Sequence, residues 1–196
     1  PDASRPFAEN IADFFSLQHI MHYTPQALRN IASIVSVAVQ VAEQMEELPI
    51  LRVLLKNEMV SSRPIVNEYA VNKAVMENYK KRREVFLNSL RSKIDPSVKH
   101  IAVYGAGMHT TQLLQSGLLN GIKVVMIVDS NPKKWGILFE GVYVERPEIL
   151  ADTDYPVLVS SYDDQEEISH YLKQYFPRLE KIKLYDHDVS YDKGIA

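Results

Sequence analysis

Residues 99–114 read KHIAVYGAGMHTTQLL, and this stretch decides the fold of the second half of the chain. An apolar run, Ile101 to Tyr104, breaks at Gly105-Ala106-Gly107 and passes into an amphipathic segment. A second apolar run, Val124–Val128, follows and ends on Asp129. Strand, glycine-rich turn, helix, strand and acid is the layout of a mononucleotide-binding βαβ unit.

The residue types suit an anion. Glycine accepts the positive φ angles that a tight strand-to-helix turn demands, a task assigned to Gly105. Gly107 lacks a Cβ and so admits a pyrophosphate close to the backbone. A helix starting near Met108 directs its unpaired N–H groups and positive dipole end toward that ligand. Ala106 lies between the two glycines within the turn, and Thr110 stands where a third glycine is usual. Asp129, 24 residues beyond Gly105, has the spacing at which an acid bonds a ribose hydroxyl.

Working outward, the rest of the second half alternates strands with helices. Gly141–Val144, Val157–Ser160 and Lys181–Tyr185 read as strands, Pro147–Leu150 as a helical turn and Asp164–Tyr175 as a helix. The fold class is α/β, with a parallel sheet of Rossmann type in the order 3-2-1-4-5. That order sets the Gly105–Gly107 turn opposite Ser160 and Ser161.

The first half has a different grammar. All seven glycines lie at or after position 105, and the halves carry net charges of +1 and −4 about a junction at Asp95-Pro96-Ser97. The expected domains are a helical region, 1–96, and a nucleotide-binding domain, 97–196. Phe7–His22 reads as a helix. Thr24 caps a second, with Pro25 at its first position, running toward Leu48. A third covers Ile50–Met59 and a long one Val66 to Ser92. Packing of these apolar stripes within the chain competes with a homodimer interface.

Composition removes several function classes. A hydrophobic content of 46% and a net charge of −3 describe an ordinary globular chain with no general affinity for polyanions, so no nucleic-acid partner is expected. With no cysteine there are no disulfides, thiolate metal sites or thiol catalysis. Ile31–Ala42, interrupted by polar residues, is too short to span a bilayer, and Pro1–Asn10 lacks the pattern of a signal peptide; the expected location is cytoplasmic. Pro1 follows an excised methionine or marks the edge of a longer protein.

Other clusters read more blandly. His19 and His22 are too few for a metal, and His187 lies in a polar tail, so no metal site is expected. Lys80-Lys81-Arg82-Arg83 is a solvated helix face rather than a polyanion site. Asp163, Asp164, Glu166 and Glu167 complement a helix dipole. Trp135 anchors its loop in preference to stacking on a base. His109, at the start of the helix, contacts the ligand, or fails to, or acts as a base.

The stretches YGAGMHT, VVMIVDSNPKKWG, FEGVYVERPEIL and YPVLVSSYDDQEEI, within residues 99–186, resemble the small Rossmann-like domains of bacterial glycan-biosynthesis proteins. Examples are the N-terminal domain of PglD-type sugar acyltransferases and the C-terminal domain of sugar C-methyltransferases. Redox-sensing repressors and CoA-binding domains share the pattern. The resemblance implies a binding role for Gly105, Gly107, His109 and Asp129, with Ser160 and Ser161 on the far wall; Ala106, Met108 and Thr110 of the same turn complete the expected ligand-binding set. It implies accessory binding of a nucleotide-sugar, with NAD(P) as the other cofactor expected and no catalytic residue assigned. The rival readings are an enzyme using NAD(P) or S-adenosylmethionine, or a fragment of one, and a dimerising interaction module with a vestigial site.

Overall fold

The computed structural model describes residues 1–15, 21–45, 48–59 and 63–186. The chain forms two compact units, Pro1–Phe86 and Leu87–Ala196.

In the first unit, α1 spans Pro25–Ile34 and starts where its cap places it. Thr24 Oγ1 accepts the Ala27 N–H at 3.0 Å and donates to Glu68 Oε2 at 2.6 Å. The helix stops at Ile34 and does not run on toward Leu48. After Ser36, at φ 56°, the chain enters strand β1, Val37–Gln44, antiparallel to β2, Leu51–Met59. The expected helix over Ile50–Met59 is therefore a strand as well. Val37, Val39 and Val41 recur with period two, and β-branched residues suit a strand better than a helix.

The expected helix at Phe7–His22 is also absent from residues 7–15, and its residues 16–20 lie outside the described ones. Local side-chain bonds compete with the helix there: Asn10 Oδ1 takes the Ala12 N–H and Asp13 Oδ1 takes the Phe15 N–H, each at 2.9 Å. Phe14 is buried there instead. Phe14 packs edge-on to Phe7 and Phe15, and Phe15 to Tyr79.

Tyr79 belongs to α2, Tyr69–Arg91, the long helix the sequence announces. The basic run on α2 grips the N-terminal segment: Arg82 pairs with Glu9, and Arg83 donates to the carbonyls of Asn10 and Ile11. His22 stacks on Phe14 and Phe15. His19 and His187 lie outside the described residues, and no cluster of three metal-ligating side chains occurs among the described ones.

The second unit holds a six-stranded sheet in the order β5-β6-β4-β3-β7-β8. The strands are β3 (His100–Tyr104), β4 (Lys123–Val128), β5 (Leu138–Phe139), β6 (Val142–Glu145), β7 (Val157–Val159) and β8 (Lys181–Ile182). β6, β4, β3, β7 and β8 are parallel and reproduce the order 3-2-1-4-5. The difference from expectation is β5, an antiparallel edge strand joined to β6 through Glu140 and Gly141. Both residues of that turn have positive φ, 49° and 82°, the geometry of a tight hairpin.

Helix α3, Met108–Gln115, follows β3, and α4, Gln165–Tyr175, follows β7. Ile101, Ala102 and Val103 are fully buried, as are Val157 to Val159, so the two central strands carry continuous apolar runs. This is a Rossmann-like α/β fold. No helix among the described residues is long and apolar enough to cross a membrane.

Candidate functional site

The strand order reverses between β3 and β7, and in open α/β sheets the crevice at that point receives ligands. The Gly105–Gly107 turn leaves β3 on one side of it, and Ser160 leaves β7 on the other. Gly105 lies at φ +111°, and a Cβ there would stand 2.9 Å from the Ser160 carbonyl oxygen. Only glycine suits that position: the backbones of the two strand ends touch across it.

Gly107 has another role. It is the N-cap of α3 in extended backbone, φ −138°, and no side chain caps the helix. A Cβ on Gly107 meets nothing within 4 Å. The space beside the Gly107 Cα, at the start of α3, is thus open.

Beside this turn a chain of polar groups runs from Tyr185 to the Gly105 carbonyl. Thr110 Oγ1 lies 2.6 Å from the Gly105 carbonyl and 2.8 Å from Ser160 Oγ. Ser160 Oγ lies 2.9 Å from His109 Nδ1, and His109 Nε2 lies 2.6 Å from the Tyr185 hydroxyl. The Gly105 carbonyl can only accept, which fixes one consistent direction for the protons. Tyr185 donates to His109 Nε2, His109 Nδ1–H to Ser160, Ser160 to Thr110 and Thr110 to the carbonyl. Each hydroxyl spends its single proton, and the imidazole is neutral. Burial lowers the His109 pKa to about 4, against a smaller opposing pull from Asp163. The ring braces the turn against the segment after β8, with both nitrogens occupied within the protein.

Asp129 is likewise engaged. Its Oδ2 accepts the Ala106 N–H and the Lys134 ammonium, each at 2.8 Å, and its Oδ1 accepts the Asn131 N–H at 2.8 Å. Burial alone would raise its pKa; the Lys134 bond and the two backbone N–H groups outweigh that and hold it below the usual range. A carboxylate offers about four acceptor directions, so one is left for a ligand hydroxyl. The Asp129 carbonyl accepts Trp135 Nε1–H at 2.7 Å, which pins the indole as an anchor of the loop.

Ser161 does not join the cluster; its hydroxyl bonds Asp164 at the start of α4. Met108 is exposed. Sequence reasoning missed Tyr185, Lys134 and Gln165. The buried amide of Gln165 bonds the backbone of Leu184 and Tyr185, which holds the tyrosine in place and ends the expected strand Lys181–Tyr185 at Ile182.

A family model described as "C2185-like, N-terminal" matches residues 97–188. No curated protein matches the chain. Among solved structures, the crystal structure of RSP, a Rex-family repressor, is 18% identical, with a TM-score of 0.35, over 60% of this chain and 57% of that one. The crystal structure of RSP in complex with beta-NADH is 17% identical, with a TM-score of 0.31, over 59% and 56%. The chain therefore matches little more than half the length of those chains. None of these matches concerns glycan biosynthesis.

Proposed function

We propose that the second unit binds a nucleotide-sugar, or a related nucleotide, at the crevice between the ends of β3 and β7. The observation that carries this reading is the uncapped start of α3 behind Gly107, open to space at the point of strand reversal. Backbone N–H groups and the helix dipole there favour a phosphate. The Ala106 N–H is already given to Asp129, so the phosphate takes the Gly107 and His109 N–H groups. Lys134 offsets the carboxylate charge that would otherwise oppose an anion. Asp129 supplies its remaining acceptor direction to a ribose or sugar hydroxyl, and Ser160 forms the opposite wall.

The role is accessory binding in the cytoplasm, within surface-glycan biosynthesis or modification; the glycan setting rests on the residue resemblance alone. One observation favours a second reading, a structural remnant serving an interaction module: His109, Thr110 and Ser160 satisfy one another, and Asp129 is engaged by Ala106, Asn131 and Lys134.

Calorimetric titration with UDP-, GDP-, CDP- and dTDP-sugars, NAD(H) and NADP(H) tests the proposal, with Gly107→Val as the control. Valine suits the extended backbone of position 107, and its Cβ meets no protein atom within 4 Å. Binding by the parent chain and its loss in Gly107→Val is the expected result. Undiminished binding in the variant refutes the role of the turn.

A further inference from the structure

A second cleft in the same unit has a different chemistry. It encloses about 280 Å³ where the end of β3, the loop after β4, the turn at Pro147–Asp152 and the start of α4 meet. Such a volume lies near the lower bound of roughly 300 Å³ for drug-sized ligands, so it fits a small group. Three rings wall it: Tyr104, Tyr171 and Trp135. Tyr104 and Tyr171 stand 6.0 Å apart at an interplanar angle of 64°, and the Nε1–H bond to Asp129 fixes the indole. The charged residues of the lining, Glu148 and Glu167, are both acids. Among the described residues no ion pair or hydrogen bond occupies either carboxylate.

We infer that this cleft binds an organic ammonium group. Ring faces attract cations through their quadrupoles, and more strongly where water is excluded. Two uncompensated carboxylates add a negative field; that of Glu148 reaches the Tyr104 hydroxyl, whose pKa is raised to about 12 by burial first, then by Tyr171, Asp129 and Glu148, against a bond to Ser130 that lowers it. The same field repels phosphate, so the cleft is not a second anion site. The described residues hold no metal-ligating cluster of three, and rings supply no inner ligands to a metal ion. An alkylated ammonium has the right combination of charge, apolar surface and size. This inference goes beyond the nucleotide reading and does not depend on it.

Choline is the probe and 3,3-dimethylbutan-1-ol its uncharged isostere. The chain holds a single tryptophan, so Trp135 emission reports on this cleft, and line broadening of the choline methyl resonance gives a second readout. Saturable choline binding at least tenfold tighter than that of the alcohol is expected. The double variant Glu148→Gln/Glu167→Gln, at two exposed positions, should lose about tenfold in choline affinity. Gly107→Val should retain it, which separates this inference from the nucleotide site. Equal affinity for choline and the alcohol, saturation by glucose with none by choline, or no response in either readout would overturn the inference.

Discussion

Replacing Gly105 by alanine tests the geometry on which the site is built. A non-glycine residue held at φ +111° costs about 1–3 kcal/mol in backbone strain. The new methyl carbon also stands 2.9 Å from the Ser160 carbonyl oxygen, a backbone atom on a central strand end that cannot swing aside as a side-chain terminus would. Overpacking of this kind adds about 1–3 kcal/mol, for a total near 3 kcal/mol after partial relaxation. With a urea dependence of about 1–3 kcal/mol per molar, the unfolding midpoint of the second unit falls by about 2 M. Trp135, the sole tryptophan, lies in that unit and reports its unfolding. Gly107→Ala is the matched control. Its backbone is extended and its Cβ unopposed, so it loses at most about 1 kcal/mol, the difference between glycine and alanine at an N-cap. Equal midpoints for the two variants would refute the assignment of Gly105 to close approach and Gly107 to open space.

Three further outcomes follow from the same bonds. His109 falls from an ordinary pKa of 6.5 to about 4 on folding, so the unfolded chain binds the extra proton between those values. Its contribution to stability is complete above pH 6.5 and is lost as pH drops through 6.5 toward 4, by about 2–3 kcal/mol; urea midpoints across that window should flatten in His109→Gln. Asp129→Ala leaves the buried Ala106 N–H without an acceptor and should cost about 1–3 kcal/mol, read by the same fluorescence. Thr24→Ala removes the cap of α1 and its bond to Glu68, costing about 1–2 kcal/mol by denaturation followed in far-ultraviolet circular dichroism.

The sequence made the second unit legible because its strands are buried on both faces and read as unbroken apolar runs, Ile101–Tyr104 and Val124–Val128, punctuated by glycine and aspartate. The edge strand β5 escaped because two residues, Leu138 and Phe139, carry too little pattern; the signal was the Glu140-Gly141 turn after them. The first unit misled for a physical reason. Val35, Ala38, Ala42 and Met45 satisfy a helical spacing, while Val37, Val39 and Val41 satisfy a strand, and the pairing of β1 with β2 decides between them. In the site, the glycines and Asp129 announced themselves, but their partners did not. Tyr185 reaches His109 from 76 residues away and Ser160 from 51, and no local pattern encodes such closure.

The central claim is that the crevice beside Gly107 takes a phosphate-bearing nucleotide. The most direct measurement is a thermal-shift screen of the chain against nucleotide-sugars, NAD(H), NADP(H), CoA and S-adenosylmethionine, repeated on Gly107→Val. A ligand at one hundred times its dissociation constant stabilises the fold by about 2.7 kcal/mol. The account predicts a shift for a nucleotide-sugar or other nucleotide that vanishes in Gly107→Val. No shift across the panel, or a shift the variant keeps, would contradict it.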